Sequence, residues 1–383
     1  MKLRAVFMRG GTSKALVFRR EDLPEEKSLW GPIFLGAIGS PDPYGRQLDG
    51  LGGGVSSLSK VCIVGPPSRP DADVDYTFAQ ISVRDASVDY SGNCGNMSSA
   101  IGPFAVDEGM VRASGDRAVV RIHNTNTGKL IVSTFPLDGG AAAVDGDFVL
   151  SGVAGSGAPI ALDFLDPGGS RTGRLLPTGN SRDVLDIAGV GALEVSMIDA
   201  ANPCVFVAAG SIGMTCTELP EEIEANLRLL EILEAIRTSA SVRMGIASDT
   251  VEAARIPGVP KVAAVASPKA ARTLAGAMLG ETDADVAIRM ISIGQPHRAV
   301  PLTGALCLAV ASRIEGTLVN RIAPRLSSDG TIRIGHPSGV TVVSAKVRKI
   351  ETGWIAESAS VYRTARRLME GYVLVPALAL AGR

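Results

Sequence analysis

Two stretches of this 383-residue chain are small and apolar, the second nearly all round, and each comes after a strand-like run. The first, Met97 to Val106, comes after Thr77 to Tyr90, a run rich in Val, Ile, Thr and Tyr. The second, Thr303 to Ile314, comes after a strand over Val286 to Ile293. A helix with no polar face has to be enclosed rather than laid on a surface. Each half of the chain therefore reads as strands run around one buried helix whose N-terminus faces outward. The length suits two domains. The boundary is placed near residue 184, giving domains 1–183 and 184–383, with the final strand left free to return to the first. Ahead of it lie two strong turn signals, Asp166-Pro167-Gly168-Gly169-Ser170 and Pro177-Thr178-Gly179-Asn180.

Further strands are expected over Leu3 to Met8, Ala15 to Phe18, Lys60 to Val64, Val119 to Asn124, Leu130 to Phe135 and Cys204 to Val207. Pro220 to Thr238 sets Ile223, Leu227, Leu230, Ile232, Leu233 and Ile236 on one stripe opposite a charged face, which predicts a surface helix. A 46% apolar fraction excludes wholesale disorder, and a net charge of −1 offers no electrostatic footprint for nucleic acid or an anionic membrane. The 44 glycines and 4% aromatics favour tight turns over an aromatic binding platform. Five widely spaced cysteines, an odd number, read as reduced thiols. Neither an export signal nor the roughly 18 to 20 apolar residues of a membrane span is recognisable. The expectation is a soluble, cytoplasmic protein.

Chemistry points first to Cys94, which stands where the strand breaks into the helix in Ser91-Gly92-Asn93-Cys94-Gly95-Asn96. Unpaired amides at a helix start favour an anion or a thiolate, and the glycines let the backbone approach a ligand; a buried structural thiol in a tight turn is the alternative. Lys60 closes a glycine-rich loop, Gly52 to Ser59, at the mouth of an apolar strand. Desolvation there would suit it to accept a proton, whereas on its own it reads as a snorkelling surface lysine. Ser56, Ser57 and Ser59 are turn formers that can also donate to a carboxylate. The turn Met8 to Lys14 is either an anion nest with Arg9 or Lys14 or a plain hairpin, and Asn202-Pro203 is either a carboxylate-reading amide or a turn. His297 and His336 sit in turns where histidines bind substrate or serve structure, and His123 lies in a strand. The three histidines have no metal-ligand spacing, and neither a P-loop nor a Gly-x-Ser-x-Gly elbow is present.

The runs 8–14 (Met-Arg-Gly-Gly-Thr-Ser-Lys), 39–50 (Gly-Ser-Pro-Asp-Pro-Tyr-Gly-Arg-Gln-Leu-Asp-Gly), 56–61, 91–96, 294–299 (Gly-Gln-Pro-His-Arg-Ala) and 335–339 (Gly-His-Pro-Ser-Gly) resemble the PrpF family, in family order and across essentially the whole chain. That family contains 2-methylaconitate, methylitaconate and oxalomesaconate isomerases or tautomerases. The resemblance implies an α+β, diaminopimelate-epimerase-like fold: two similar domains, each a curled, mostly antiparallel sheet around a central helix, with the active site in the cleft between them. It maps the catalytic pair onto Lys60 and Cys94. It assigns the substrate carboxylates to amides around Gly95, Asn96, Thr303 and Gly304, with Ser13, Ser57, Asn202 and His297 as side-chain donors. Epimerases of this fold carry a second cysteine at the second helix start; Thr303-Gly304 stands there, and Cys307 lies about one turn further in, which disfavours a two-thiol racemase. The expected activity is cofactor-independent isomerisation of an aconitate- or 2-methylaconitate-like acid through a dienolate, with no metal. The alternatives are an allylic isomerase or tautomerase of an oxalomesaconate- or methylitaconate-type acid, and a carboxylate-binding protein without catalysis. The expected partner is a small polycarboxylate, with a homodimer as the assembly considered, and neither nucleic acid nor membrane.

Overall fold

The computed structural model describes residues 1–323 and 330–376. Its packing falls into two units, Met1–Leu162 with Tyr362–Arg383, and Asp163–Val361. The division comes ahead of the 183/184 boundary expected from the sequence, and the turn-rich stretch that follows it is tied to Asp199. This fully buried carboxylate accepts hydrogen bonds from the Ser170 hydroxyl (2.5 Å), the Arg171 and Thr172 amides (2.9 and 2.7 Å) and the Thr172 hydroxyl (2.9 Å). Its backbone also bonds to Gly169 and Leu175. What reads as a turn-rich linker is thereby stapled into the second unit.

In the first unit, β1 (Lys2–Gly10) and β2 (Ser13–Arg19) form a hairpin with Gly10 opposite Ser13. The chain then passes through α1 (Trp30–Ile38) to β3 (Lys60–Gly65), which lies parallel to β2, and β4 (Val74–Ile81) returns antiparallel to β3. A second crossover, α2 (Gly95–Asp107), leads to β5 (Arg117–Asn124), parallel to β4, and β6 (Lys129–Asp138) pairs antiparallel with β5. The last strand, Ala365–Leu374, pairs antiparallel with β1. Parallel neighbours need long connections, and both are met by helices.

Strand alternation sorts the two helices onto opposite faces of β3. Val61 and Ile63 join Ile33, Phe34 and Trp30 of α1 in one core, whereas Lys60 and Cys62 alternate to the other face. Small residues in α2 are a packing requirement. A Cβ at Gly102 would come within 2.7 Å of Ser133 Oγ and 2.8 Å of the Phe135 ring on β6. The sequence does not announce α1, because Gly31, Pro32 and Gly36 mask its apolar run. Pro32 is tolerated in the first turn, and Gly39 (φ 82°) ends the helix in the left-handed conformation.

The second unit repeats this connectivity. After β7 (Asp183–Ile187), β8 (Gly191–Ala200) and β9 (Asn202–Ala208) form the hairpin. The helix α3 (Leu227–Arg243) crosses to β10 (Lys261–Ala266), parallel to β9, and β11 (Val286–Ser292) returns antiparallel. Then α4 (Leu302–Arg313) leads to β12 (Thr331–His336), parallel to β11, and β13 (Gly339–Ile350) pairs antiparallel with it. Every residue of α4 from Leu302 to Ser312 is buried, as its apolar circumference requires. The helix expected over Pro220 to Thr238 is two helices, Pro220–Glu224 and α3, because the Asn226 side chain accepts from the Leu229 amide (3.0 Å) and starts a new one. The buried stripe shifts accordingly to Leu229, Leu233, Ile236 and Ala240, and Leu227 is exposed. Both units are thus mostly antiparallel sheets with a buried central helix, an α+β architecture.

Candidate active site

Lys60 opens β3 and is 7% exposed. Its Nζ donates to Gln80 Oε1 from the facing position on β4 and lies 5.0 Å from the centre of the Phe78 ring. The orientation of Gln80 is fixed independently, since its Nε2 donates to the carbonyls of Ser56 (3.0 Å), Ser59 (2.9 Å) and Ile81 (3.3 Å), which leaves Oε1 for the lysine. The loop before Lys60 is braced in turn. Ser59 Oγ donates to Gln47 Oε1 (2.7 Å), which also accepts from the Gly54 amide (2.8 Å), and the Asp42 carboxylate accepts from the amides of Tyr44, Arg46 and Gln47. A Cβ at Gly52 would lie 2.2 Å from Gln47 Oε1, so only glycine permits this closure. The 39–50 motif is therefore the buttress of the Lys60 approach. Ser57 lies in the short 3-10 turn Ser56–Leu58, half-buried. Its hydroxyl, like that of Ser13 (3% exposed, on β2), has no partner among the described residues.

Cys94 occupies the N-cap position of α2 in extended conformation (φ −99°, ψ 94°), and it alone of the five cysteines is not fully buried. No side chain caps this helix. The first ladder bond is Ser98 N–H to Cys94 O (3.0 Å), so the amides of Gly95, Asn96 and Met97 stay unpaired among the described residues. The Asn96 side chain is spent: Nδ2 donates to Thr12 Oγ1 (3.0 Å) and Oδ1 accepts from Arg363 Nε (3.2 Å). Behind Cys94 the Cys62 thiol donates to Tyr76 Oη (3.8 Å). Burial pushes the Cys62 thiol well up, Cys94 adds to the rise, and Lys60 opposes it. Lys60 and Cys94 thus both bear on the charge of this one buried thiol. The Tyr76 hydroxyl is likewise raised by burial, with Cys62 and Cys94 contributing.

In the second unit α4 also begins without a side-chain cap, at Pro301, and its ladder starts at Ala305 N–H to Pro301 O (2.9 Å). The amides of Leu302, Thr303 and Gly304 are unpaired among the described residues. Gly304 packs on Met290, where a Cβ would lie 2.4 Å from the sulfur. His297 is half-buried and its amide donates to Met290 O (2.9 Å). Asn202 does not sit in a turn after a strand: it begins β9 opposite Ala200, and Ala201 (φ 59°) makes the turn. Cys307 is buried and donates to Ile198 O (3.5 Å), facing away from the helix start. His336 is 2% exposed and closes the β12–β13 hairpin, with Nε2 on Thr341 Oγ1 (2.9 Å) and Nδ1 accepting from the Ser338 amide (3.2 Å). His123 bonds Asp75 (2.8 Å). The Met8–Lys14 turn is a hairpin in which Arg9 donates to the carbonyls of Gly11 and Thr364.

Lys60, Cys94, Ser13, Ser57, Gly95 and Asn96 thus belong to the first unit, and Asn202, His297, Thr303 and Gly304 to the second. Gln80 and Arg363 are additions that no motif announces. Gln80 interrupts an apolar strand opposite Lys60, which is the signal it offered. No cluster of three or more His, Cys, Asp or Glu able to hold a metal occurs among the described residues, and no helix there is long and apolar enough to cross a membrane.

The PrpF protein family matches residues 1–376. The 3-methylitaconate isomerase of Eubacterium barkeri is 44% identical over 98% of this chain and 97% of its own length. The 2-methyl-aconitate isomerase of Cupriavidus necator is 41% identical, with 98% of each chain covered. The crystal structure of methylitaconate-delta-isomerase superimposes with a TM-score of 0.85 at 42% identity, covering 100% of this chain and 98% of that one. A hydroxyproline epimerase from Agrobacterium vitis, 13% identical with a TM-score of 0.57 over 99% and 94% of the two chains, shares the fold alone, which is the diaminopimelate-epimerase-like fold. With its doubled sheet-and-helix architecture and relatives of this kind over its whole length, the chain belongs to the PrpF family and is an isomerase.

Proposed function

We propose that the protein isomerises an unsaturated tricarboxylic acid of the aconitate or 2-methylaconitate type by moving a proton through a dienolate. A C–H next to a double bond conjugated with a carboxylate is acidified because the electron pair left behind spreads onto oxygen. Lys60 takes that proton, and Cys94 serves as the second acid/base group or positions the reacting carbon. Return of a proton to the same or another allylic carbon re-forms the double bond with changed geometry or position, so no atom or electron is gained. The unpaired amides of Gly95, Asn96 and Met97 stabilise the developing negative charge, and Ser13 and Ser57 donate to carboxylates. Asn202, His297, Thr303 and Gly304 are proposed to hold further carboxylates.

What supports this reading is a nearly buried lysine at the mouth of β3, held at its Nζ by Gln80, together with the one incompletely buried thiol of the five cysteines at the uncapped start of α2, beside three unpaired amides. A second reading, positional isomerisation of a methylitaconate-type acid, is favoured by the 44% identity to the Eubacterium barkeri enzyme. Both use the same groups. The variants Lys60→Ala and Cys94→Ser are expected to keep their affinity for a tricarboxylate within about threefold while turnover collapses. Full turnover in Lys60→Ala would refute the assignment.

A further inference from the structure

Arg363, a residue of the first unit at the end of the strand Gly353–Arg363, is 4% exposed, yet no acidic side chain pairs with it among the described residues. Burial alone holds its guanidinium down, at about 10. Buried charges in proteins are ordinarily paired, since an isolated one loses its hydration without compensation. Of the five N–H groups of a guanidinium, Nε donates to Asn96 Oδ1 (3.2 Å) and Nη1 to Tyr362 O (2.9 Å). Nη2 has no partner among the described residues.

Arg363 is also aimed. Asn96 stands in the first turn of the 13-residue helix α2, and its Nδ2 donates to Thr12 Oγ1 (3.0 Å), which turns Oδ1 toward the arginine. Gly11 closes over this arrangement, because a Cβ there would lie 2.4 Å from Asn96 Oδ1. The same turn carries the unpaired amides of Gly95, Asn96 and Met97.

We propose that Arg363 and the first turn of α2 form a carboxylate subsite, in which the guanidinium anchors a carboxylate of the polycarboxylate substrate beside Cys94. The proposal rests on the isomerase reading for the identity of its ligand, and it adds a binding residue that the family motifs in the sequence do not mark. The missing counter-ion of Arg363 is then the substrate itself. An arginine suits this place because its planar fork bonds a carboxylate through two N–H groups, which a lysine cannot copy.

The test uses propane-1,2,3-tricarboxylate, a saturated acid that cannot isomerise, titrated calorimetrically into the wild-type protein, Arg363→Met and Arg363→Lys in a carboxylate-free buffer. Arg363→Met should bind about tenfold or more weakly, with Arg363→Lys between the two. Without ligand, Arg363→Met should melt at or above the wild-type temperature, since it removes an uncompensated buried charge. A melting temperature lowered with affinity unchanged, failure of Arg363→Met to fold, or the absence of saturable binding by the wild type would overturn the subsite. Isomerisation intact with Arg363-independent binding sinks the subsite alone. Arg363-dependent binding in a protein that moves no proton on any unsaturated acid sinks the isomerase reading alone.

Discussion

Gln80→Leu removes the side-chain oxygen that accepts from Lys60 Nζ, the one such acceptor among the described residues, at nearly constant size. Lys60 is 7% exposed, so little water replaces the lost acceptor, and the Phe78 ring 5.0 Å away remains its neighbour. A hydrogen bond to a charged group contributes about 1.5–3 kcal/mol. If that full amount stabilises the ammonium that forms as Lys60 takes the proton, kcat should fall about 10- to 150-fold. KM should change by less than about threefold, because Gln80 lies behind the lysine and is not assigned to any carboxylate. Loss of the three Nε2 bonds to Ser56, Ser59 and Ile81 should also lower the melting temperature. Gln80→Glu keeps an acceptor for the lysine but loses the bonds to those carbonyls, and its carboxylate favours the charged lysine over the free amine that takes the proton, so it should not restore kcat. Initial rates on the unsaturated acid turned over by the wild type, with thermal unfolding of each variant, provide the measurement. A Gln80→Leu enzyme with kcat within about twofold of wild type would refute the claim that Gln80 stabilises the Lys60 ammonium.

Gly10→Ala would place a Cβ 2.7 Å from the Asn96 carbonyl oxygen and 3.0 Å from the Met97 Cα, both backbone atoms of α2's first turn. It should destabilise by about 1–3 kcal/mol and lower activity through displacement of Cys94, read by denaturant unfolding and initial rates; unchanged values for both would contradict the tight packing. For Glu108, burial raises the carboxyl, but hydrogen bonds from Arg4 (2.5 Å) and Arg367 (3.0 Å) outweigh it and hold the group below its ordinary value of 4.5. A depressed carboxylate contributes stability above its ordinary value and loses it as pH falls through the native one. The stability gap between wild type and Glu108→Gln should therefore be constant near neutrality and shrink as pH drops below 4.5; a gap that widens in acid would reverse the assignment.

The two central helices were legible because an apolar circumference built of small residues has few other solutions, and Gly102 against Ser133 and Gly304 against Met290 show why those residues are small. The doubled connectivity was legible only as an echo, since the sequence signals α2 and α4 but not the pairing that makes both of them crossovers. The outer helix α1 was hidden by two glycines and a proline, whose cost is offset by packing against β2 and β3. The break at Asn226 lay within an uninterrupted apolar stripe, where a side-chain cap outweighs periodicity. Lys60 and Cys94 could be singled out because each stands at the junction of a loop with a regular element. Gln80 and Arg363 could not: their meaning comes from partners across the sheet, Gln80 twenty positions from Lys60 and Arg363 far beyond Asn96 in the chain. The domain boundary was placed by turn residues, and the hydrogen bonds of the buried Asp199 to one of those turns could not be read from them.

The most direct test of the central claim is proton exchange. The protein is incubated in deuterated water with aconitate, 2-methylaconitate, methylitaconate and oxalomesaconate in turn, and the exchanged positions are located by NMR. Deuterium is expected at an allylic carbon of at least one acid, appearing with isomerisation and abolished in Lys60→Ala. No exchange with any of the four, or exchange that persists undiminished in Lys60→Ala, would contradict it.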